Sequence, residues 1–265
     1  MNQKNLNAVN SKPYTFDAVK VKNEIVGWIR EYFRQNGSDC KAIIGISGGK
    51  DSSVVAALCV EALGEDRVIG VLMPDGYQKD IGDAEQLCEY LGIKSYEINI
   101  GNATEAIRVA MIACDLVPSV QTKTNLPPRI RMATLFAVAQ TCNGRVANTC
   151  NFSEDFLGWN TLFGDSAGQF APLAKLTATE VIKIAEVLNL PENLVHKAPA
   201  DGLTDKSDED NFGFTYDFLD IYIRTGYYGI DTATAAKIDS MHDRNKFKLA
   251  PMPHFDYYPE DPYRF

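Results

Sequence analysis

The chain has 265 residues, 45% of them hydrophobic, which is enough for one large domain with a substantial core. Its net charge of −9 argues against a broad nucleic-acid surface, because such a surface requires a basic excess. Six cysteines without zinc-site spacing, a polar first segment and no long apolar run predict a reduced, soluble, cytoplasmic protein without a signal peptide or membrane span.

The first half of the chain alternates helices with short apolar strands. Apolar residues from Ala18 to Tyr32 recur at helical spacing and predict an amphipathic helix that ends at Asn36-Gly37. The next predicted elements are strands at 42–46, 68–73 and 95–100, with helices at 53–63 and 81–91 between them. Such alternation is typical of parallel strands joined by right-handed crossovers. We therefore predict an α/β fold, a doubly wound parallel sheet flanked by helices.

The second half begins with a segment rich in proline, at 115–128, which we expect to be irregular. A helix is then predicted from Arg129 to Cys142. Thr177 and Glu180 form a capping box that begins another helix, which ends near 189–191. The other predicted elements are a strand at 145–149, loops at 151–173 and 198–210, helices at 211–225 and 232–245, and an extended tail from 249.

The pattern contains no linker or internal repeat. We therefore predict a single domain over residues 1–265, with a nucleotide-binding core at about 40–190. Helical and extended additions are expected over 191–265.

The most informative segment is Ser47-Gly48-Gly49-Lys50-Asp51-Ser52, between the first predicted strand and the next helix. Its glycines permit close approach of the backbone, and amides at a helix start attract phosphate oxygens. Asp51 repels phosphate unless a divalent cation bridges the two. The common nucleotide loop requires Gly at Ile44 and Ser or Thr at Asp51, so it does not fit. An ordinary glycine-rich turn is the alternative interpretation.

The position of this segment in the sheet also predicts where a ligand lies. In open parallel sheets, ligands bind outside the carboxyl ends of the strands. The loop at Ser47 and the segment that follows Met73 both fall at such ends. We therefore expect adenine near Met73.

The six-residue loop resembles the pyrophosphatase loop of the ATP pyrophosphatase superfamily, which includes GMP synthetases, asparagine synthetases and tRNA-modifying enzymes. Later segments narrow the choice, because they resemble the signature of ammonia-dependent NAD synthetases in family order. These segments are 148–154, 158–165, Asn125 with 129–132, 172–177, 197–199 and 207–209. The chain is thus identified as a member of that family.

The resemblance implies a two-step reaction in a homodimer, with ATP, deamido-NAD and ammonia as substrates. The nicotinate carboxylate attacks the α phosphate of ATP and releases pyrophosphate, and ammonia then displaces AMP from the NAD-adenylate. About forty residues precede the first strand, too few for a glutaminase domain, so free ammonia is the expected nitrogen donor.

Matching positions imply the site residues. Those implied for ATP are Gly45, Ile46, Ser47, Gly48, Gly49, Lys50, Asp51, Ser52, Met73 and Thr149. Those implied for deamido-NAD are Arg129, which reaches across the dimer, with Gln169, Phe247 and Lys248. Asp51 and Glu154 are implied as ligands of Mg²⁺. Asp165 is implied to be near the amidation centre, and we expect it to bind ammonium and help deprotonate it.

The chemistry and position of the residues support two of these implied roles and leave alternatives open for two others. Arg129 is expected at a helix start, where a cation is unfavourable, which favours contact with a ligand. Glu154 follows a strand end, as Asp51 does, which favours a metal ligand over a solvated carboxylate. For Thr149, a role in ending the strand is as good an interpretation as contact with ATP. For Asp165, the alternative to a role in amidation is that its side chain caps a turn.

The chain departs from many relatives at several positions. In this chain Leu162 replaces a basic residue, Gln169 replaces Asp, Ala178 replaces Lys, Ala200 replaces a hydroxyl residue, Phe247 replaces His and Lys50 replaces Gln. The lysine that many relatives carry at the position of Ala178 contacts the ATP phosphates. Lys50 is a candidate to supply that contact instead. Two alternatives follow from the departures: an ATP pyrophosphatase that adenylates another carboxylate, or a nucleotide-binding relative with weakened turnover. The presence of Asp51, Glu154 and Asp165 favours the enzyme.

Overall fold

The computed structural model describes residues 14–196, 208–226 and 231–255. The strands found there are β1 (Lys41–Gly45), β2 (Val68–Leu72), β3 (Lys94–Glu97) and β4 (Gly144–Val146). They form one parallel sheet in the order β3-β2-β1-β4, in which Ile43 of β1 is in register with Ile69 and Val146. The predicted parallel α/β sheet is confirmed.

Helices surround this sheet and fill most of the remaining described chain. They are α1 (Ala18–Asn36), α2 (Lys50–Leu63), α3 (Ile81–Tyr90), α4 (Gly101–Ala113), α5 (Val120–Thr141), α6 (Phe152–Leu157), α7 (Ala178–Val187), α8 (Glu192–Val195), α9 (Asp208–Phe212), α10 (Tyr216–Thr225) and α11 (Thr232–Asn245). Short 3-10 turns lie at Glu65–Arg67 and Lys246–Leu249. Within the described ranges, no helix has the combined length and apolarity that a bilayer crossing requires.

The sheet is covered on both faces because β1 and β2 direct alternate side chains to opposite sides. On one face, Ala42 and Ile44 pack with residues of α1, α2, α3 and α7 in the larger core. On the other face, Ile43 and Ile69 pack against Leu135 of α5. A third, smaller core joins α6, α9, α10 and α11. The doubly wound arrangement follows from this division of apolar residues.

Several local predictions are confirmed. Helix α1 begins at Ala18 and ends at Gly37, whose φ of +138° no side chain easily adopts. The backbone N–H of Thr177 donates to Glu180 Oε2 at 2.8 Å, which completes the predicted capping box of α7. Helix α11 has the predicted bounds. All six cysteines are free thiols, as expected.

The prediction of an irregular segment at 115–128 is wrong, because α5 begins at Val120 and contains both Pro127 and Pro128. Ser119 caps this helix, since its Oγ accepts from the N–H of Thr122 at 3.1 Å. Pro127 cannot donate to the carbonyl of Lys123, which instead accepts a long hydrogen bond of 3.5 Å from Arg108. A partner from α4 therefore compensates in part for a proline that local rules place outside helices.

Other boundaries also differ. Helix α4 was not predicted, α6 lies within the predicted loop at 151–173, and α2 begins three residues before residue 53, at Lys50. The predicted strand at 145–149 ends at Val146, after which Ala147 forms an isolated bridge with Phe170. The predicted helix at 211–225 is divided by Gly213, which has a φ of +75°. The expectations for 198–207, including Ala200, and for the tail beyond 255 lie outside the described residues.

Candidate active site

The turn between β1 and α2 is held in one conformation by its own side chains. Ser47 Oγ and Ser52 Oγ lie 3.1 Å apart, and the N–H of Ser47 donates to Ser52 Oγ at 3.3 Å. Gly48 has a φ of +77°, and a Cβ added there would lie 2.9 Å from Cβ of Asp83. Both observations require glycine at position 48. The turn therefore presents backbone close to the start of α2, as an anion site requires.

The other predicted ATP residues lie at the carboxyl ends of neighbouring strands. Met73 follows β2 and is 7% exposed, and its carbonyl accepts from Arg131 Nε at 3.0 Å. A Cβ on Gly45 would meet Met73 Cε at 3.2 Å, so the ends of β1 and β2 are in close contact. Thr149 follows β4 and is half-buried. Because the strands are parallel and adjacent, these residues share one edge of the sheet.

Asn151 links the two predicted metal ligands. Its Nδ2 donates to Asp51 Oδ1 at 3.1 Å, while its Oδ1 accepts from the N–H groups of Ser153 and Glu154 at 3.0 and 3.1 Å. Asn151 is thus the N-cap of α6 and fixes Glu154 in the first turn of that helix. One buried amide therefore holds the first turns of α2 and α6 together, each with its carboxylate.

The electrostatics around Glu154 fit a cation site. Burial raises the pKa of Glu154 well above its ordinary value, and the nearby carboxylate of Asp51 raises it further. No set of three or more His, Cys, Asp or Glu residues in the described chain forms a complete metal cage. Mg²⁺ commonly uses one or two carboxylates together with substrate phosphates and water. Asp51 and Glu154, beside the turn predicted to bind phosphate, match that donor set.

Lys50 lies inside this region rather than at its mouth. The residue is 7% exposed, and its Nζ is 2.9 Å from Asp51 Oδ2 and 5.7 Å from the ring centroid of Tyr216. The Tyr216 hydroxyl donates in turn to Asp208 Oδ2 at 3.2 Å. Although burial opposes it, the carboxylates of Asp51, Glu154 and Asp208 raise the pKa of Lys50 above its ordinary value. The ammonium is therefore firmly charged.

Asp165 lies beyond the end of β4, in a turn that remains accessible to solvent. Its Oδ1 accepts from the N–H of Thr161 at 2.9 Å, and its carbonyl accepts from Asn148 Nδ2 at 2.9 Å. Desolvation by surrounding protein raises the pKa of the Asp165 carboxyl, and the Thr161 amide opposes that shift. The Thr161 bond shows that Asp165 does cap the turn through Oδ1, while Oδ2 accepts a long hydrogen bond of 3.9 Å from Cys150 Sγ.

The residues predicted for deamido-NAD lie near a cavity of about 480 Å³, lined by Gln169 and Lys248 among others. Lys248 Nζ donates to the carbonyls of Gly158 and Asn160 at 2.7 and 2.8 Å. Burial lowers the pKa of Lys248, while Asp165 opposes that shift. Gln169 Oε1 accepts from the N–H of Val146 at 2.9 Å, so this side chain also attaches its loop to β4. Gln169 therefore combines structural support with a place at the cavity.

The remaining two residues of this predicted set are more exposed. Phe247 precedes Lys248 and is 60% exposed. Arg129 Nε donates to the carbonyl of Leu162 at 3.2 Å, so the arginine contacts the position where many relatives carry a basic residue. The helix-start argument for Arg129 is wrong, because α5 begins nine residues earlier and Arg129 lies inside it. A role for Arg129 in binding stays a prediction, which rests on the resemblance.

Two residues that organise this region had no predicted role. Asn151 and Tyr216 contact the Asp51–Lys50 pair from elsewhere in the fold. Asn151 precedes Ser153 and Glu154 in the manner of an N-cap, a signal that is visible in the sequence. Tyr216 carries no comparable signal, because its contact with Lys50 joins residues 166 positions apart.

Comparison with known proteins identifies similar chains. The sequence model of the NAD synthase family matches residues 21–252. An NH(3)-dependent NAD(+) synthetase from Methanococcoides burtonii is 39% identical over 207 residues, which are 77% of this chain and 78% of that protein.

Solved structures give a consistent result. An NMN synthetase from Francisella tularensis superimposes with a TM-score of 0.81 at 31% identity, over 91% of this chain and 100% of that one. An NH3-dependent NAD synthetase from Campylobacter jejuni, in complex with the nitrate ion, gives a TM-score of 0.74 at 28% identity. The superposition covers 92% of this chain and 100% of that one.

Proposed function

The chain belongs to the NAD synthase family, and from this membership we propose that it catalyses the ATP-dependent amidation of deamido-NAD by ammonia. The products are NAD, AMP and pyrophosphate, formed through an NAD-adenylate. The observation that carries the proposal is the hydrogen bond from Asn151 to Asp51, which joins the phosphate-binding turn to the helix of Glu154. This link supports a phosphate site and a metal site that adjoin each other.

In the proposed first step, the nicotinate carboxylate attacks the α phosphate of ATP. The backbone from Ser47 to Ser52 and the positive end of α2 bind the phosphates. Asp51 and Glu154 would hold Mg²⁺, and the bound ion would supply positive charge that offsets negative charge on the departing pyrophosphate. The protein contributes mainly alignment and charge neutralisation, which are what attack on phosphorus requires. Met73 and Thr149 border the adenine and ribose side of the same sheet edge.

In the proposed second step, ammonia displaces AMP from the adenylate. Asp165 binds ammonium through Oδ2, whose partner in the structure is the Cys150 thiol at 3.9 Å, and accepts a proton, because only neutral ammonia is a nucleophile. Its raised pKa supports this role, since a more basic carboxylate takes a proton more readily. Lys248 lies close enough to lower the pKa of Asp165, and this proximity supports an acceptor site in the cavity that Lys248 lines.

The proposed acceptor site combines the 480 Å³ cavity with the exposed surface beside it. Lys248 and Arg129 supply positive charge for a dinucleotide with phosphates and a carboxylate. Phe247 supplies an exposed aromatic face on which a base can stack. Gln169 contributes its amide nitrogen, because its amide oxygen already accepts from the N–H of Val146 in β4.

An assay of the purified chain tests this proposal. With ATP, Mg²⁺, deamido-NAD and ammonium, we expect NAD, AMP and pyrophosphate in equal amounts. Omission of deamido-NAD should abolish AMP release, because the acceptor carboxylate is the nucleophile of the first step. Glutamine in place of ammonium should give little NAD. AMP release that does not depend on deamido-NAD, or binding of ATP without turnover, would contradict the proposal.

A second candidate is amidation of the smaller acceptor nicotinate mononucleotide. The similar structure from Francisella tularensis is an NMN synthetase, and this chain carries Leu162 and Gln169 where many relatives carry charged residues. Those changes lie beside Arg129 and the cavity, where they can alter which acceptor fits. Measurement of kcat/KM for both acceptors in one assay decides between them, and the higher value identifies the substrate.

We also propose a homodimer formed through α4 and the start of α5. Although α4 is rich in apolar residues, Thr104 is the one residue of this helix that is buried. Exposed apolar side chains are numerous in α4, in the segment after it and at the start of α5: Ile107, Val109, Ile112, Leu116, Val117 and Val120. A concentration of exposed apolar residues of this kind favours an interface. A second copy is the proposed occupant, because the resemblance implies that Arg129 of α5 reaches across a dimer.

The dimer is tested by sedimentation equilibrium at micromolar concentration. The wild-type chain is expected to sediment as a dimer, and Ile112→Glu as a monomer, because a charge in an apolar interface would be desolvated without a partner. Val19→Glu is the matched control, since Val19 is similarly exposed, at 55% against 59%, but lies on α1. A monomeric wild type, or an Ile112→Glu variant that remains dimeric, would refute the proposed surface.

A further inference from the structure

The phosphate-binding turn contains a buried cation of its own. Lys50 is the first residue of α2 and is 7% exposed, and its ammonium lies 2.9 Å from Asp51 Oδ2. Lysine is rarely buried unless its charge is paired. The side chain therefore extends into the protein and contacts the carboxylate that is proposed as a metal ligand.

The surroundings of this ammonium are acidic on more than one side. Glu154 of α6 and Asp208 of α9 both face Lys50 closely enough to raise its pKa, together with Asp51. The Tyr216 ring lies beside the ammonium, with its centroid 5.7 Å from Nζ, and the Tyr216 hydroxyl donates to Asp208. Lys50 thus provides one positive charge within a group of carboxylates from three helices.

We propose that Lys50 is a built-in counter-ion that prevents Asp51 and Glu154 from binding a free divalent cation until ATP arrives. The inference rests on the metal site of the proposed function. The Lys50 ammonium is 2.9 Å from Asp51 Oδ2, so a divalent cation bound to Asp51 would lie close to it. Two positive charges only a few ångströms apart repel each other strongly in a partly buried site. The phosphates of ATP add negative charge that offsets this repulsion. Metal and nucleotide should therefore bind with strong positive coupling.

Binding of Mn²⁺, measured by electron paramagnetic resonance on the full chain, tests this proposal. Without nucleotide, Lys50→Gln is expected to bind Mn²⁺ at least about tenfold more tightly than the wild type, because the competing charge is gone. Lys50→Met, also neutral, should behave in the same way. Lys20→Gln is the control: it removes the same charge from α1, where the Lys20 side chain is 69% exposed, and should leave Mn²⁺ affinity unchanged.

The coupling provides a second readout. An ATP analogue with a methylene group between the α and β phosphates should tighten Mn²⁺ binding in the wild type by a larger factor than in Lys50→Gln. Thermal unfolding checks that the variants fold, and added Mn²⁺ should raise the unfolding temperature of Lys50→Gln more than that of the wild type. Equal Mn²⁺ affinities in folded wild type and variants overturn the role of Lys50 alone. No Mn²⁺ binding by any of them, even with the analogue, overturns the proposed metal site as well.

Discussion

The Asp51→Asn variant is expected to release pyrophosphate on the order of 10³-fold more slowly than the wild type. Asparagine keeps an oxygen that can accept from Asn151, so the link between α2 and α6 is retained. The substitution removes the negative charge that the proposed Mg²⁺ site requires, and with it the neutralisation of the departing pyrophosphate. The measurement is the rate of pyrophosphate release with saturating deamido-NAD and ammonium.

A loss of stability must be separated from this loss of chemistry. Asp51→Asn leaves the buried Lys50 without its ion partner, which is expected to lower the free energy of unfolding by about 3 kcal/mol. The double variant Lys50→Gln with Asp51→Asn removes both charges and should regain most of that stability but none of the activity. Asp66→Asn, on an exposed 3-10 turn, controls for net charge and should retain wild-type turnover. Near-normal turnover of Asp51→Asn would mean that the triphosphate binds elsewhere.

The sequence was sufficient to predict the parallel sheet and the glycine-containing turn between β1 and α2, because both depend on local signals; phosphate binding by that turn stays a prediction. Apolar runs such as 68–73 are typical of strands buried on both faces, and β2 is indeed buried along its whole length. The requirement for glycine at position 48 follows from its positive φ and the nearby Asp83. The start of α2 was placed too late, because Lys50 and Asp51 were attributed to the loop rather than to the helix.

The sequence was insufficient where distant contacts override local preference. Pro127 and Pro128 argue against a helix, yet α5 continues through both, with a contact from Arg108 at the first freed carbonyl. A long-range contact also explains why the position of the Lys50 ammonium beside the Tyr216 ring was not foreseen, because the two residues are far apart in sequence. The single-domain division and the ligand roles of residues such as Thr149 and Phe247 stay predictions.

The Asp165→Asn variant is expected to slow amidation by about 10²-fold while adenylation changes little, because the carboxylate acts only after pyrophosphate has left. Asparagine can still accept from the N–H of Thr161, so the turn should remain in place. In a single-turnover experiment, pyrophosphate should appear at close to the wild-type rate, whereas NAD should form slowly and the adenylate should accumulate. Equal slowing of both steps would reject a role for Asp165 in amidation.

Two further measurements distinguish proton transfer from support of the turn. Ser166→Ala removes the hydrogen bond of 2.9 Å from Ser166 Oγ to the carbonyl of Thr161, in the same turn, but leaves the carboxylate in place. If the slow amidation of Asp165→Asn came from a loosened turn, Ser166→Ala would slow amidation as well; we expect it to have little effect. The defect of Asp165→Asn should also shrink as pH rises, because solvent then supplies neutral ammonia directly. A defect that stays constant with pH would instead indicate that Asp165 positions the adenylate without taking a proton.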